Sequence, residues 1–102
     1  MHVISRKRLR EFGQRHPDAA KALEGWYRVF REARWQNIQD VRLVYPHADA
    51  VTVASGNTVA VFDICGNKYR LIAAIHYNRQ RVYVLRILTH AEYSKGLWKK
   101  NL

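Results

Sequence analysis

The sequence predicts an α+β fold: an N-terminal helical hairpin lying on one face of a small antiparallel β-sheet, with a short C-terminal helix. Three observations carry that expectation. Apolar residues recur at helical spacing in the first third of the chain. From residue 51 onward β-branched residues dominate and turn signals recur. The length, 102 residues, suits one compact domain (1–102) with one modest core.

Ser5 stands where a helix N-cap is wanted, and Ile4 and Leu9 occupy the staple positions of a helix starting at Arg6. Pro17 interrupts it, because proline disfavours helical geometry at the preceding His16. Pro17 itself suits the first turn of a second helix, and Asp18 is favourable near that helix's positive end. Ala19, Leu23, Trp26, Tyr27, Phe30 and Ala33 then form an apolar stripe. Glu24 with Arg28, and Arg28 with Glu32, make i,i+4 pairs on the outer face. Residues 37–45 read as one more short helical turn stopped by Pro46. Residues 51–53 suit a short strand and Gly56-Asn57 a turn. Strands follow at 58–64, 68–77 and 81–89, joined by Cys65-Gly66-Asn67 and Asn78-Arg79-Gln80 into an antiparallel meander. Thr89 or His90 caps a last short helix through Glu92 and Tyr93, before a polar tail with Lys99 and Lys100.

Lysine and arginine total 18 against 8 acidic residues, a formal charge of +10. In a small domain that excess points to nucleic acid or to an acidic partner protein. Cys65 is the only cysteine, so no intrachain disulfide and no thiolate zinc site is expected. The five histidines have no metal-ligand spacing, and no metal or cofactor is expected. No apolar run follows the basic cluster Arg6-Lys7-Arg8, and the longest one, 71–75, falls far short of a membrane span. A soluble cytoplasmic protein without a signal peptide is expected. Arg6, Lys7 and Arg8 crowd a first helical turn, where the dipole disfavours cations. A role toward an anionic partner and a solvated basic face both account for them.

Strand alternation divides the meander into two faces. On 68–77, Tyr69, Leu71, Ala73, Ile75 and Tyr77 suit packing under the helices, with Lys68, Arg70, Ile72, Ala74 and His76 opposite. On 81–89, Val82, Val84, Arg86 and Leu88 share one face, and Arg81, Tyr83, Leu85 and Ile87 the other. Arg86 lies mid-strand among apolar residues, where an unpaired guanidinium is costly to bury. Either an acid such as Asp63 pairs with it or it lines an open anion site, and the scarcity of acids favours the latter. Arg70 poses the same question. Beyond the strand, His90 and Tyr93 are placed to fold over the arginines. Lys68, Arg70, Arg86, His90 and Tyr93 round one concavity suit phosphodiester cleavage, with arginines neutralising developing charge and an imidazole moving protons. Basic strands with interleaved aromatics equally describe a simple RNA binder. The candidate RNA-contacting set is Arg6, Lys7, Arg8, Arg79, Arg81, Lys95, Lys99 and Lys100. Trp26, Tyr27 and Phe30 read as core, while Trp35 and Trp98 suit either RNA stacking or a partner surface.

The start Met-His-Val-Ile, the block from Val61 to Ile72 with its Gly-Asn-Lys-Tyr-Arg-Leu motif, and the segment Arg86 to Tyr93 with Thr-His-x-x-Tyr resemble the HigB toxins of bacterial type II toxin–antitoxin systems. Trp35 and Asp40-Val41 extend the resemblance along most of the chain. HigB toxins belong to the wider RelE group, so the resemblance implies a RelE-like fold and a ribosome-dependent mRNA endonuclease. It implies cleavage by attack of a ribose 2′-hydroxyl on the adjacent phosphate, without metal. It also implies a HigA-like helix-turn-helix antitoxin, through which operator DNA is bound. By motif position Arg70 and Arg86 contact the scissile phosphate, Lys68 stabilises charge or assists proton transfer, His90 is the acid or base, and Tyr93 stacks on a base or orients the nucleotide. The strand glutamate that serves some RelE relatives as general base is missing here, and Asp63 is expected to pair with an arginine.

Two other functions fit the same residues: a non-catalytic RNA- or ribosome-binding module, and an inactive toxin-like protein that holds an antitoxin as co-repressor. Alanine at Arg70, Arg86 or His90 is expected to relieve toxicity in a nuclease while leaving the fold intact.

Overall fold

The structure is a computed structural model and describes residues 1–102. Helices α1 (Arg6–Arg15) and α2 (Pro17–Glu32) are joined by His16 alone. Ser5 takes the N-cap position in extended geometry, without a side-chain bond. α1 buries Leu9 and Phe12, and α2 buries Ala19, Leu23, Trp26 and Phe30, much of the expected stripe. The two helices form the expected hairpin. Arg6 at one end reaches Glu24 at 3.0 Å, and at the other end a Cβ on Gly13 would lie 3.2 Å from the Ala20 backbone. Only glycine permits that approach without displacement. Glu24 pairs with Arg28 as expected, at 3.6 Å. Glu32 takes Arg31 at 3.3 Å instead of Arg28, which is drawn to Glu24. Helix α3 (Ile38–Val44) starts where the Asn37 side chain accepts the Asp40 N–H at 3.0 Å, and it buries Val41.

Strands β1 (His2–Ile4), β2 (Asp49–Thr52), β3 (Thr58–Ile64), β4 (Tyr69–His76) and β5 (Arg81–Thr89) form one sheet in the order β1-β5-β4-β3-β2. The meander is antiparallel as expected, but the sheet is mixed, because β1 runs parallel to β5 from His2 opposite Arg81 to Ile4 opposite Tyr83. Three residues carry no usable periodicity, so this long-range pairing had no local signal. The Met1 ammonium secures it, donating to the carbonyls of Phe30 and Ala33 at 2.9 and 2.6 Å, where the end of α2 favours a cation. β2 begins two residues earlier than its apolar residues suggest.

The main core lies between the helices and the sheet. Phe62 is its hub, edge-on to Trp26 at 5.6 Å, Phe30 at 5.3 Å and Tyr45 at 5.3 Å. Trp35 packs edge-on to Phe30 at 4.8 Å, which makes it part of this core's rim. The opposite sheet face is partly covered too. Helix α4 (His90–Lys95) starts in a reciprocal capping box between Thr89 and Glu92, and a 3-10 turn (Leu97–Asn101) follows Gly96. The expected polar tail is therefore a docked segment. Trp98 is buried against Val53, Val59, Val61 and Ile72, which removes it from RNA stacking. Its indole N–H donates to the Tyr93 carbonyl at 3.2 Å.

Phe62→Ala opens a cavity among three rings and costs about 3–5 kcal/mol, to be read from equilibrium urea unfolding. A loss below about 1 kcal/mol contradicts the hub role.

Candidate nucleic-acid interface

An irregularity in the sheet determines where the arginines go. β4 and β5 pair evenly until Ile72 meets Arg86 while its neighbour Ala73 meets Val84, leaving Leu85 as an extra residue. A bulge of this kind shifts alternation by one position on the bulged strand. Val82, Val84 and Ile87 consequently pack toward the helices, and Leu85 and Leu88 toward the Trp98 cluster. Arg86 lies opposite Ile72, on the face shared with Arg70, which neighbours it across the strand pair. Regular alternation assigns Arg86 to the Val82–Val84 face, and the bulge corrects that assignment.

β1 covers only the first three residues of β5, so the edge of β5 beyond Tyr83 is left for α1 to flank. There Arg8 of α1 donates to the Leu85 carbonyl at 2.6 Å, and Arg86 donates to the same oxygen at 2.7 Å. Two guanidinium groups thus converge on one neutral acceptor. No carboxylate pairs with either, since Asp63 takes Arg70 at 3.2 Å and the nearest acid of the groove, Glu11, takes Lys7 at 3.7 Å. The groove they line has a volume of about 330 Å³ and is completed by Glu11, Phe12, Arg15 and Ile87. Arg15 escaped the sequence reading. Its signal was there, since residues 8, 11, 12 and 15 fall on one helical face.

The other candidate residues lie around this groove with partners of their own. Arg70 is only 13% exposed in its side chain; it pairs with Asp63, donates to the Asn67 side chain, and sits 5.2 Å from the Tyr93 ring. Tyr93 is also stacked on Trp98 at 5.4 Å, and burial, with the charge of Asp49 adding to it, pushes its hydroxyl pKa up. Lys68 is on the hairpin turn and bonds Asp18 at the start of α2, away from Arg86. The Tyr69 hydroxyl donates to that same carboxylate at 2.8 Å. Lys68 first, and then Tyr69, hold the Asp18 carboxyl below its ordinary value. His90 is exposed on the first turn of α4, its Nε2 3.5 Å from Ser94 Oγ, while its backbone N–H ties α4 to the Lys68 carbonyl at 2.9 Å. The structure therefore brings Arg8, Arg15 and Arg86 together, and separately Arg70 and Tyr93, with Lys68 and His90 linked only through backbone.

The remaining basic candidates spread over the surface. Arg6 lies 4.5 Å over the Tyr27 ring and pairs with Glu24. Together with the Lys7 and Arg8 contacts, these partners offset the cations in the first turn of α1. Arg79 and Arg81 sit at the far end of β5 from His90, and Lys95, Lys99 and Lys100 lie along the C-terminal segment. No group of three His, Cys, Asp or Glu side chains is arranged to hold a metal ion. No helix is long and apolar enough to cross a membrane.

Fold and groove define a small basic α+β protein with arginines gathered at a sheet edge, none of them paired with a carboxylate. The family model HigB_toxin, described as a RelE-like toxic component of a toxin–antitoxin system, matches residues 19–96, and the chain belongs to that family. It is 35% identical over 95 residues to a protein named mRNA interferase HigB from Escherichia coli O6:H1, covering 93% of this chain and 90% of that one. It is 24% identical over 93 residues to the mRNA interferase toxin HigB of Escherichia coli K12, covering 91% and 88%. Toxic components of such systems have an antitoxin as partner.

Two predictions concern stability. Arg70→Ala strands Asp63 and frees Tyr93, costing on the order of 2 kcal/mol. Arg86→Ala, on the open groove, stays within about 0.5 kcal/mol of wild type, both read from equilibrium urea unfolding. Equal losses contradict this division. Because the folded Asp18 pKa is depressed, its stabilisation is present above the ordinary value of 3.8 and is lost as pH falls through the depressed one. Asp18→Asn is therefore less stable than wild type at neutral pH, and the two converge at the acid end. A gap that persists at the lowest pH contradicts the pairing.

Proposed function

We propose that this chain is an endoribonuclease of the mRNA interferase type, cutting translated mRNA on the ribosome in the cytoplasm, and silenced by a HigA-like helix-turn-helix antitoxin that carries it to operator DNA. The observation that carries this reading is the convergence of Arg8 and Arg86 on the Leu85 carbonyl without a carboxylate partner. Phosphate oxygens that take over those donors meet a pair of forked guanidinium groups. The names of the relatives, mRNA interferases, support the reaction class.

The reaction needs no external reagent. The ribose 2′-oxygen bonds to phosphorus, the bond from phosphorus to the 5′-oxygen breaks, a base takes the 2′-proton and an acid gives one to the leaving oxygen. The products are a 2′,3′-cyclic phosphate and a 5′-hydroxyl. Arg8, Arg15 and Arg86 bind the phosphate and offset the charge that grows on it. His90, exposed where β5 ends, is the residue assigned to proton transfer. Arg70 and Tyr93 act as positioning residues, since their mutual contact sets α4, and so His90, against the sheet. Lys68 positions the same turn through Asp18 and remains close to His90 along the backbone. Arg6, Lys7, Arg79, Arg81, Lys95, Lys99 and Lys100 add long-range attraction to the ribosome and its mRNA.

Mapping RNA 5′ ends after brief induction in bacteria tests the proposal. Wild type is expected to produce 5′-hydroxyl ends confined to translated messages, and Arg86→Ala and His90→Ala to reduce them by about 10²–10³-fold. New ends that are equally abundant with both variants contradict the assigned site. No new ends with antitoxin-free wild type favour a non-catalytic binding module.

A further inference from the structure

The far half of the sheet's outer face is unused by that chemistry and is only partly covered by the C-terminal segment, whose Leu102 forms part of its lining. A cavity of about 340 Å³ lies there, with walls from Val59, Ala74 and Leu85 and a rim that includes Asn57, Thr58 and His76. The ring of His76 is exposed and meets Tyr83 edge to face at 5.2 Å and 78°. Arg81 is opposite His76 across the strands, and Arg79 lies in the adjoining turn. None of His76, Tyr83, Arg79 and Arg81 was singled out for stacking by its place in the sequence; the register alone brings them together.

We propose that this cavity is a nucleobase-binding subsite for single-stranded RNA, with the His76 ring at its rim, braced edge to face by Tyr83, as the stacking surface. It rests on the reading above that the chain acts on RNA. Apolar walls suit the faces of a base, and the polar rim suits its edge. Cations stand at both ends of the open strip, Arg79 and Arg81 at one and Arg86 at the other, which matches a base joined to a polyanion better than an apolar protein side chain. Leu85 connects the two sites. Its side chain lines the cavity while its carbonyl receives Arg8 and Arg86, so a nucleotide can straddle the edge of β5 with its phosphate in the groove and its base on the outer face.

The test uses the full chain at low ionic strength with two short 2′-O-methyl oligoribonucleotides, one complete and one abasic at a single position. Ala74→Leu fills the cavity and His76→Ala removes the stacking ring; both positions are at least partly exposed, and unchanged circular dichroism verifies folding. Each is expected to weaken binding of the complete RNA roughly tenfold and to leave the abasic RNA unaffected. Arg86→Ala is expected to weaken both RNAs alike. Unchanged affinity in Ala74→Leu and His76→Ala, with Arg86→Ala still impaired, overturns the base subsite alone. Failure of wild type to bind either RNA overturns the RNA reading with it. Loss of antitoxin binding in Ala74→Leu with RNA binding intact assigns the cavity to a protein partner and overturns the proposal.

Discussion

The Leu85 carbonyl oxygen, turned out by the bulge between β4 and β5, is the atom on which the functional architecture depends. It accepts from Arg8 of α1 and from Arg86 of β5, and so ties the helical hairpin to the sheet edge while holding two guanidinium groups side by side. Two like charges repel, and their closeness is tolerable because both face solvent and share one polar acceptor. The edge of β5 is short of a neighbouring strand here, since β1 is only three residues long. Arg8 therefore also caps an edge that could pair with another chain. The same contact blunts the edge and assembles the groove.

The chain's scarcity of acids matters as much as its abundance of bases. Asp18 is held by Lys68 and Tyr69, Asp63 by Arg70, Glu24 by Arg6 and Arg28, and Glu92 by the cap of α4. Apart from Glu24 with Arg28 within α2, each of these pairs joins elements of the fold or closes a helix end. What is left over is positive, and it is concentrated where α1 passes β5. Surface pairs of this kind contribute little stability individually. Their larger effect is to leave the groove's arginines without a carboxylate partner, since its one acid, Glu11, is paired with Lys7. Stability itself rests on the ring cluster around Phe62 and on Trp98 docking behind the sheet.

Much of the fold was legible because it is written in local periodicity. The stripe on α2, the Pro17 break, the three-strand meander and a last helix capped at Thr89 or His90 all depend on residues close in sequence. A terminal strand at His2 was legible, but its parallel pairing was not, for the opposite reason, as the partner β5 lies about eighty residues away. Trp98 was ambiguous because one aromatic near a chain end has no period to betray what it covers. At the candidate site, Asp63 takes an arginine as expected, Arg70, and of the two alternatives open for Arg86 the structure shows the one without an acid. The bulge was the feature that alternation conceals: one inserted residue, Leu85, moves Arg86 to the face of Arg70. Arg15 and the His76–Tyr83 pair emerged only once helix and strand register had been fixed in space.

If Arg8 and Arg86 act as one phosphate-binding unit, their contributions to cleavage are coupled. A double-mutant cycle on single-turnover cleavage of ribosome-bound mRNA measures this directly, with Arg8→Ala, Arg86→Ala and the pair. The double variant is expected to be little slower than either single one, with a coupling energy on the order of 1–3 kcal/mol. Rate losses that simply multiply contradict a shared site at the Leu85 carbonyl.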